Sequence, residues 1–374
     1  MNTLILDTET DIYNHGNPFD KRNKLVCVSY KVQQEEADAL LGLDLEAIQC
    51  LVDHANLVVG FNFKFDYHWL HLSSINLSGK RIWDCQTAHY ILSHQKDIFP
   101  SLDDVCLHYG LGSKLDVVKS EYWDRGITTS LIPWDTLRPY AILDAVLTEQ
   151  VFLKQWAEAT PAQRALILLD GQDCHVLREM EANGIHYDEA LCESKSKELD
   201  DKVREIKSTL ASIYPQVPIN FNSGDHLSAF LYGGCITEIV KEHHGFYKTG
   251  GRIGEPKYKN VEFVHTLPQL YKPIKGSELK KEGFYATNEP TLKQLKGSHK
   301  VIDLILELSK LEKLNGTYYK GLPLLNKTMN WESGVLHGNF NQTQTATGRL
   351  SSSRPNQQNF ASELQDIFVS TVND

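Results

Sequence analysis

Near the N-terminus the run Leu4-Ile5-Leu6 is wholly apolar and stops abruptly at Asp7-Thr8-Glu9-Thr10. Further short apolar runs at Val26–Val32 and Leu57–Phe61 predict additional strands, with helical stretches between and after them. The first part of the chain therefore reads as α/β. After Ala157 the period becomes helical: Leu166–Met180 is rich in apolar residues and stops at Asn183-Gly184, a helix-ending pair. From about Asp188, apolar residues at Leu199, Val203, Ile206, Leu210 and Ile213 follow the alternating four-three spacing of a narrow coiled-coil-like seam. The break Ile219–Gly224 precedes a short helix from Asp225. Residues 233–285 lack a period; they are rich in Gly, Lys and Tyr and predict a basic insertion of one or two hairpins. Helical spacing returns at Pro290–Leu295 and Val301–Leu314, where Leu304, Leu308 and Leu311 line one face and Lys310 and Lys313 do not.

Composition changes this picture little, and charge changes it more. The 374 residues are 41% apolar and 23% charged, enough for two or three ordinary folded domains. No apolar run approaches the ~20 residues that span a bilayer, and no signal segment precedes Leu4, so no membrane partner is expected. Seven cysteines without a Cys-x-x-Cys pair argue for a reducing, cytoplasmic setting and against zinc. The net charge of −10 is uneven: residues 1–150 carry 12 Lys/Arg against 21 Asp/Glu, whereas 241–327 carry 16 against 9. Such asymmetry suggests one part that holds cations and another that holds a polyanion.

Candidate chemistry sits where the apolar runs end. Side chains alternate along a strand, so Asp7 and Glu9 share a face about 7 Å apart, a pair whose repulsion a hard cation such as Mg²⁺ or Mn²⁺ would relieve. A third acid, Asp66, falls where the strand ending at Phe61-Asn62 gives way to a helix; capping that helix is its simpler reading. Farther on, a helix beginning at Pro133-Trp134, with Pro139 tolerated in its first turn, carries Tyr140 and Asp144 four residues apart on one face.

Together these pieces resemble the three exonuclease motifs of the DEDD superfamily: Asp7-Thr8-Glu9, then Asn62 to Asp66, then Tyr140-x-x-x-Asp144 in the tyrosine-bearing variant. A second resemblance lies at Thr347-Gly348-Arg349-Leu350-Ser351-Ser352 followed by Pro355-Asn356-Gln357-Gln358-Asn359. This string is similar to a block of the family A DNA polymerases, the group of bacterial DNA polymerase I and many phage replicases. Glu181-Ala-Asn-Gly184-Ile and Phe221-Asn-Ser-Gly resemble segments that lead into that family's thumb.

The resemblance implies an RNase H-like 3′–5′ exonuclease domain over residues 1–158. A mostly helical thumb would follow over 159–327, with the basic insertion at 233–285, and then the first part of a palm over 328–374. It further implies two Mg²⁺ or Mn²⁺ ions: Asp7 bridging both, Glu9 and Asp144 completing one site, and Asp66 supporting the other through water. Glu9 and Tyr140 would orient the attacking water. Asn62 would meet the single-stranded 3′ end. Thr347, Arg349, Ser351, Ser352, Asn356, Gln358 and Asn359 would follow the primer–template minor groove, where acceptors recur at equivalent places in every pair. Lys310 and Lys313 would meet phosphates.

The palm and fingers motifs of that family do not occur in the 374 residues, so polymerisation by this chain alone is not expected. The expectation is a proofreading exonuclease within a split, phage-type polymerase completed by a second polypeptide, with the insertion as a possible dock for a processivity factor. Two alternatives are a free-standing 3′–5′ exonuclease and a non-enzymatic DNA-binding subunit; the complete set of acids disfavours the latter.

Overall fold

A computed structural model describes residues 2–370 of the chain apart from 34, 42, 43, 115 and 116. The first strands are β1 (Thr3–Thr10), β2 (Leu25–Val32) and β3 (Asp38–Leu41), followed by α1 (Leu45–His54). Next come β4 (Leu57–Gly60), α2 (Phe63–Leu72), β5 (Arg81–Asp84) and α3 (Cys85–Leu92). The five strands form one sheet in the order β3-β2-β1-β4-β5. β1 runs antiparallel to β2 and parallel to β4, and β4 is parallel to β5. This is an RNase H-like sheet, with the acid-bearing strand at its centre.

The unbroken apolar run of β1 follows from burial on both faces. Ile5 packs with Val59 and Trp83 on one side, while Leu4 and Leu6 pack with Val58 and Ile82 on the other. The first cluster is covered by α3, by α4 (Leu102–His108) and by a long later helix; α1 and α2 cover the second. The short α5 (Val117–Glu121) leads to that long helix, α6 (Trp134–Glu158).

Pro139 lies inside α6, beyond its first turn, so the expected place of this proline is corrected. The helix starts as early as Trp134 because the Pro133 carbonyl accepts the Thr136 and Leu137 amides. α7 (Pro161–Asn183) opens with a capping box between Thr160 and Gln163 and stops at Gly184, whose φ of +64° suits glycine. Near its middle, a Cβ at Gly171 would lie 2.1 Å from the Ile82 carbonyl oxygen, so a glycine is required for the helix to seat on β5. The short β6 (Ile185–His186) follows.

The chain forms two compact units, one made of Met1–Glu189 with the segment from Leu322 onward, the other of Ala190–Gly321. The second unit contains most of α8 (Glu189–Ala211), α9 (Gly224–Tyr232), the antiparallel hairpin β7 (Gly234–Phe246) and β8 (Pro256–Leu267), α10 (Glu289–Lys293) and α11 (Lys300–Leu314). Its core joins Ile206 and Leu210 of α8 to Phe230 and Leu231 of α9 and to Ile302, Ile305 and Leu308 of α11. The expected hairpin is a single long one.

The first unit resumes with α12 (Gly321–Met329), then β9 (Val335–Leu336), which pairs with β6. Last come β10 (Asn339–Asn341) and its antiparallel partner β11 (Ser351–Ser353). The turn expected at Asn373-Asp374 lies outside the described residues.

Candidate active site

Two elements deliver the acids. β1 presents Asp7 and Glu9 on one face, and α6 presents Asp144 opposite them, so that one carboxylate oxygen of each lies within 4.8 Å of the other two. Glu9 and Asp144 are buried and Asp7 half-buried. Tyr140, one turn before Asp144, is buried against Trp123 at a ring separation of 5.7 Å. Asp66 reaches β1 from α2: its Oδ1 accepts from the Thr8 amide at 2.9 Å and from the Thr8 hydroxyl at 2.6 Å. It is therefore tied to the strand between the other two acids rather than capping its own helix.

The electrostatics of the cluster are unfavourable without a cation. Burial, then the neighbouring Asp144, raises the Asp7 carboxyl to about 7, with Lys114 acting in the other direction. Glu9 is raised by burial and then by Asp7; Asp66 likewise, against the two Thr8 hydrogen bonds. Burial also lifts Asp144, although the ammonium of Lys114 bonds to its Oδ2. Among the described residues, Lys114 thus faces three of these acids, Asp7, Glu9 and Asp144. The other oxygen of Asp144, Oδ1, is buried without a hydrogen-bond partner. An all-oxygen donor set with an orphaned carboxylate oxygen fits a hard divalent cation. Burial, then Asp144 and Glu9, raises Tyr140, which keeps its phenol protonated.

A cleft of about 610 Å³ opens at the start of α2, lined by Asn62, Gln86, Phe99, Gln344 and Arg354 among others. Asn62 has left-handed backbone (φ +52°), which asparagine tolerates better than most residues. Its amide and that of Phe63 donate to the two oxygens of Asp84, at 3.1 and 2.9 Å. Another charged group lies under the cleft. Lys64 donates to Glu181, to the Asn339 side chain at 2.9 Å and to the Phe340 carbonyl at 2.6 Å. Glu181 also holds His68 at 2.7 Å and accepts from the Phe340 amide at 2.6 Å.

Of the residues expected to meet duplex, Thr347, Arg349, Asn356, Gln358 and Asn359 are exposed and Ser351 is half-buried. Ser352 is buried; its hydroxyl donates to the Pro355 carbonyl and accepts from the Gln357 amide, both at 3.2 Å, so it shapes the turn. Lys310 and Lys313 are exposed on α11, in the second unit. Sequence reasoning did not single out Lys114, Lys64 or the role of Thr8. A lone lysine in a Gly-Ser-Lys loop carries no signal, and Lys64 meets Glu181 across 117 positions of sequence.

An RNase H-like fold carrying such a cluster defines a nucleic-acid-processing enzyme of the kind that uses divalent metal. Residues 1–158 match the family model described as 3′–5′ exonuclease, and residues 262–370 match that of DNA polymerase family A. The chain is 30% identical over 321 residues to DNA polymerase I of Synechocystis sp., covering 82% of this chain and 28% of the relative. It is also 30% identical over 218 residues to the thermostable DNA polymerase I of Thermus thermophilus, covering 58% and 21%. A solved structure, the POL domain of Pol1 from M. smegmatis in complex with DNA primer-template and dNTP, shares the fold. Its TM-score is 0.67 at 19% identity, over 98% of this chain and 54% of that one. The chain belongs to the family A DNA polymerases and carries a 3′–5′ exonuclease domain at its N-terminal end. It spans less than a third of the length of the curated relatives it matches here.

Proposed function

We propose that residues 1–158 hydrolyse the terminal phosphodiester of DNA 3′ ends, as the proofreading activity of a DNA polymerase. The observation that carries this reading is the close-set trio Asp7, Glu9 and Asp144 with its orphaned oxygen. Asp7, Glu9, Asp144 and, from its place on Thr8, Asp66 would hold Mg²⁺ or Mn²⁺. Bound there, the ions would supply an activated water and charge stabilisation at the leaving 3′ oxygen. Tyr140 stays a neutral phenol and so serves as a hydrogen-bond donor that orients the attacking water, not as a base. Glu9 shares that orienting role, and Asn62 meets the terminal nucleotides from the cleft wall.

Residues 159–327 are proposed as the duplex-gripping thumb and 328–370 as the first part of the palm, with Arg349, Asn356 and Gln358 testing pair geometry from the minor groove. DNA synthesis is proposed to draw on polymerase segments outside these 374 residues, because the relatives matched are several-fold longer. The hairpin β7–β8, with Ile239, Tyr258 and Val264 exposed, is a proposed dock for a processivity factor.

The deciding experiment follows one labelled primer–template in Mg²⁺ with the purified chain alone. Degradation without extension is expected, and Asp7→Ala should abolish degradation while leaving DNA binding largely intact. Wild-type degradation by that variant would overturn the site assignment; extension by these 374 residues alone would overturn the need for further polymerase segments.

A further inference from the structure

The exonuclease part of the first unit supports the loop between β10 and β11, and one side chain does so at a single point. Tyr90, on α3, is 3% exposed, with its ring in the core beside β5. Its hydroxyl donates to the Thr345 carbonyl at 2.6 Å and accepts from the Gly348 amide at 3.1 Å. These two backbone groups lie three residues apart and flank the turn that presents Thr347. The Thr345 hydroxyl in turn donates to the Arg349 carbonyl at 2.8 Å. Nearby, the Phe99 amide donates to the Thr343 carbonyl at 3.1 Å. The loop's outer residues, from Ala346 to Leu350, are exposed and have little packing of their own to fix them. Gly348 adopts φ +73°, a conformation that costs other residues strain.

We infer that Tyr90 is a positioning residue for duplex binding: an exonuclease side chain that sets the loop carrying Thr347 and Arg349. The inference rests on the proposed reading of residues 347–359 as the duplex-contacting segment. Its consequence is that duplex grip depends on the fold of the nuclease, although Tyr90 lies outside the carboxylate centre and need not touch DNA.

Tyr90→Phe removes the hydroxyl and keeps the ring. Fluorescence anisotropy with a labelled primer–template should show duplex binding weakened about fivefold, the scale of a lost hydrogen bond. Excision of a labelled single-stranded oligonucleotide by the same preparation should stay within about twofold of the parent. Adding Tyr90→Phe to Arg349→Ala should weaken binding no further, since both act through one loop. Gly348→Ala disturbs the same turn in open space, without touching the core, and should reproduce the duplex loss. Unchanged duplex binding in Tyr90→Phe and Gly348→Ala would overturn the inference. So would a parallel loss of single-stranded excision, or full additivity with Arg349→Ala. Parent-like duplex binding by Arg349→Ala would instead sink the reading of the segment, and the inference with it.

Discussion

Two groups of buried charge lie in the first unit, and they are built on opposite terms. Lys64 and Glu181 neutralise one another, and both are further hydrogen-bonded, to His68, Asn339 and the Phe340 backbone. Burial alone would raise Glu181, but its bonds to His68 and Lys64 outweigh that and hold it below the usual carboxylate range. Asp7, Glu9 and Asp144 have Lys114 beside them, Asp66 has the Thr8 hydrogen bonds, and all four are still raised. The satisfied pair is structural cement. The unsatisfied cluster is strained until a ligand arrives, the mark of a functional site.

The contrast breaks most sharply if Asp7 is neutralised. Asp7→Asn should lower 3′-end cleavage by about three orders of magnitude or more, since a metal ligand is lost. The same variant, melted in EDTA, should be more stable than the parent, because one repelling charge is gone. A lower melting temperature for the metal-free variant would contradict this account of the cluster.

Removing one member of the satisfied pair should act in the other direction. Lys64→Met strands a buried Glu181 carboxylate and should destabilise the fold by about 3–5 kcal/mol in chemical denaturation. Lys64→Met with Glu181→Met should cost less than the single change, because no unpaired charge remains. If the double variant is the less stable, the pair is not the source of the effect.

Metal and pH sharpen the comparison further. In the folded chain Asp7 titrates near about 7, against an ordinary value of 3.8, so the folded state holds its proton more tightly than the unfolded state does. The stability this gives is fully present below about pH 4 and is lost as pH rises towards about 7. Above that range a divalent ion should restore it, by about 2.7 kcal/mol at one hundred times its dissociation constant. Melting temperatures in Mg²⁺ and in EDTA should therefore diverge as pH rises from 5 to 8; a gap that narrows would be inconsistent with metal at these acids.

The smallest effect is expected for charges on the exposed face of α11. Replacing Lys310 and Lys313 together by Ala should weaken duplex binding less than about tenfold, with a shallower salt dependence and no sequence preference.

The parts of this architecture that a sequence reader can see are those with a local cause. β1, β2 and β4 announce themselves because burial forces apolar runs; Asp7, Glu9, Asn62 and Asp66 stand where those runs end or the next helix begins, and Tyr140 and Asp144 share one face inside α6 by their spacing of four. β3 and β5 were not expected: each has four residues, too few to show a period, and β5 opens on an exposed Arg81. The partners of the cluster were invisible for another reason. Thr8 meets Asp66 across 58 positions and Lys114 meets Asp144 across 30, distances over which no periodicity carries information. Ser352 belongs to a recognisable string, yet its burial follows from a turn that only the folded chain shows.

Gly171 has a consequence for how this molecule can vary. With the backbone of α7 pressed on the Ile82 carbonyl, that point of the helix cannot slide along or roll on the sheet. Glu181 stands ten residues farther along the same rod, so its separation from Gly171 along the helix axis is fixed at about 15 Å and its bearing by the helical pitch. The helix works as a gauge block. Its outward side chains, Leu166, Leu169, Val176 and Met180, are free to drift in identity. A single residue inserted between Gly171 and Glu181 would swing the carboxylate through about 100° and leave Lys64 without its counter-charge.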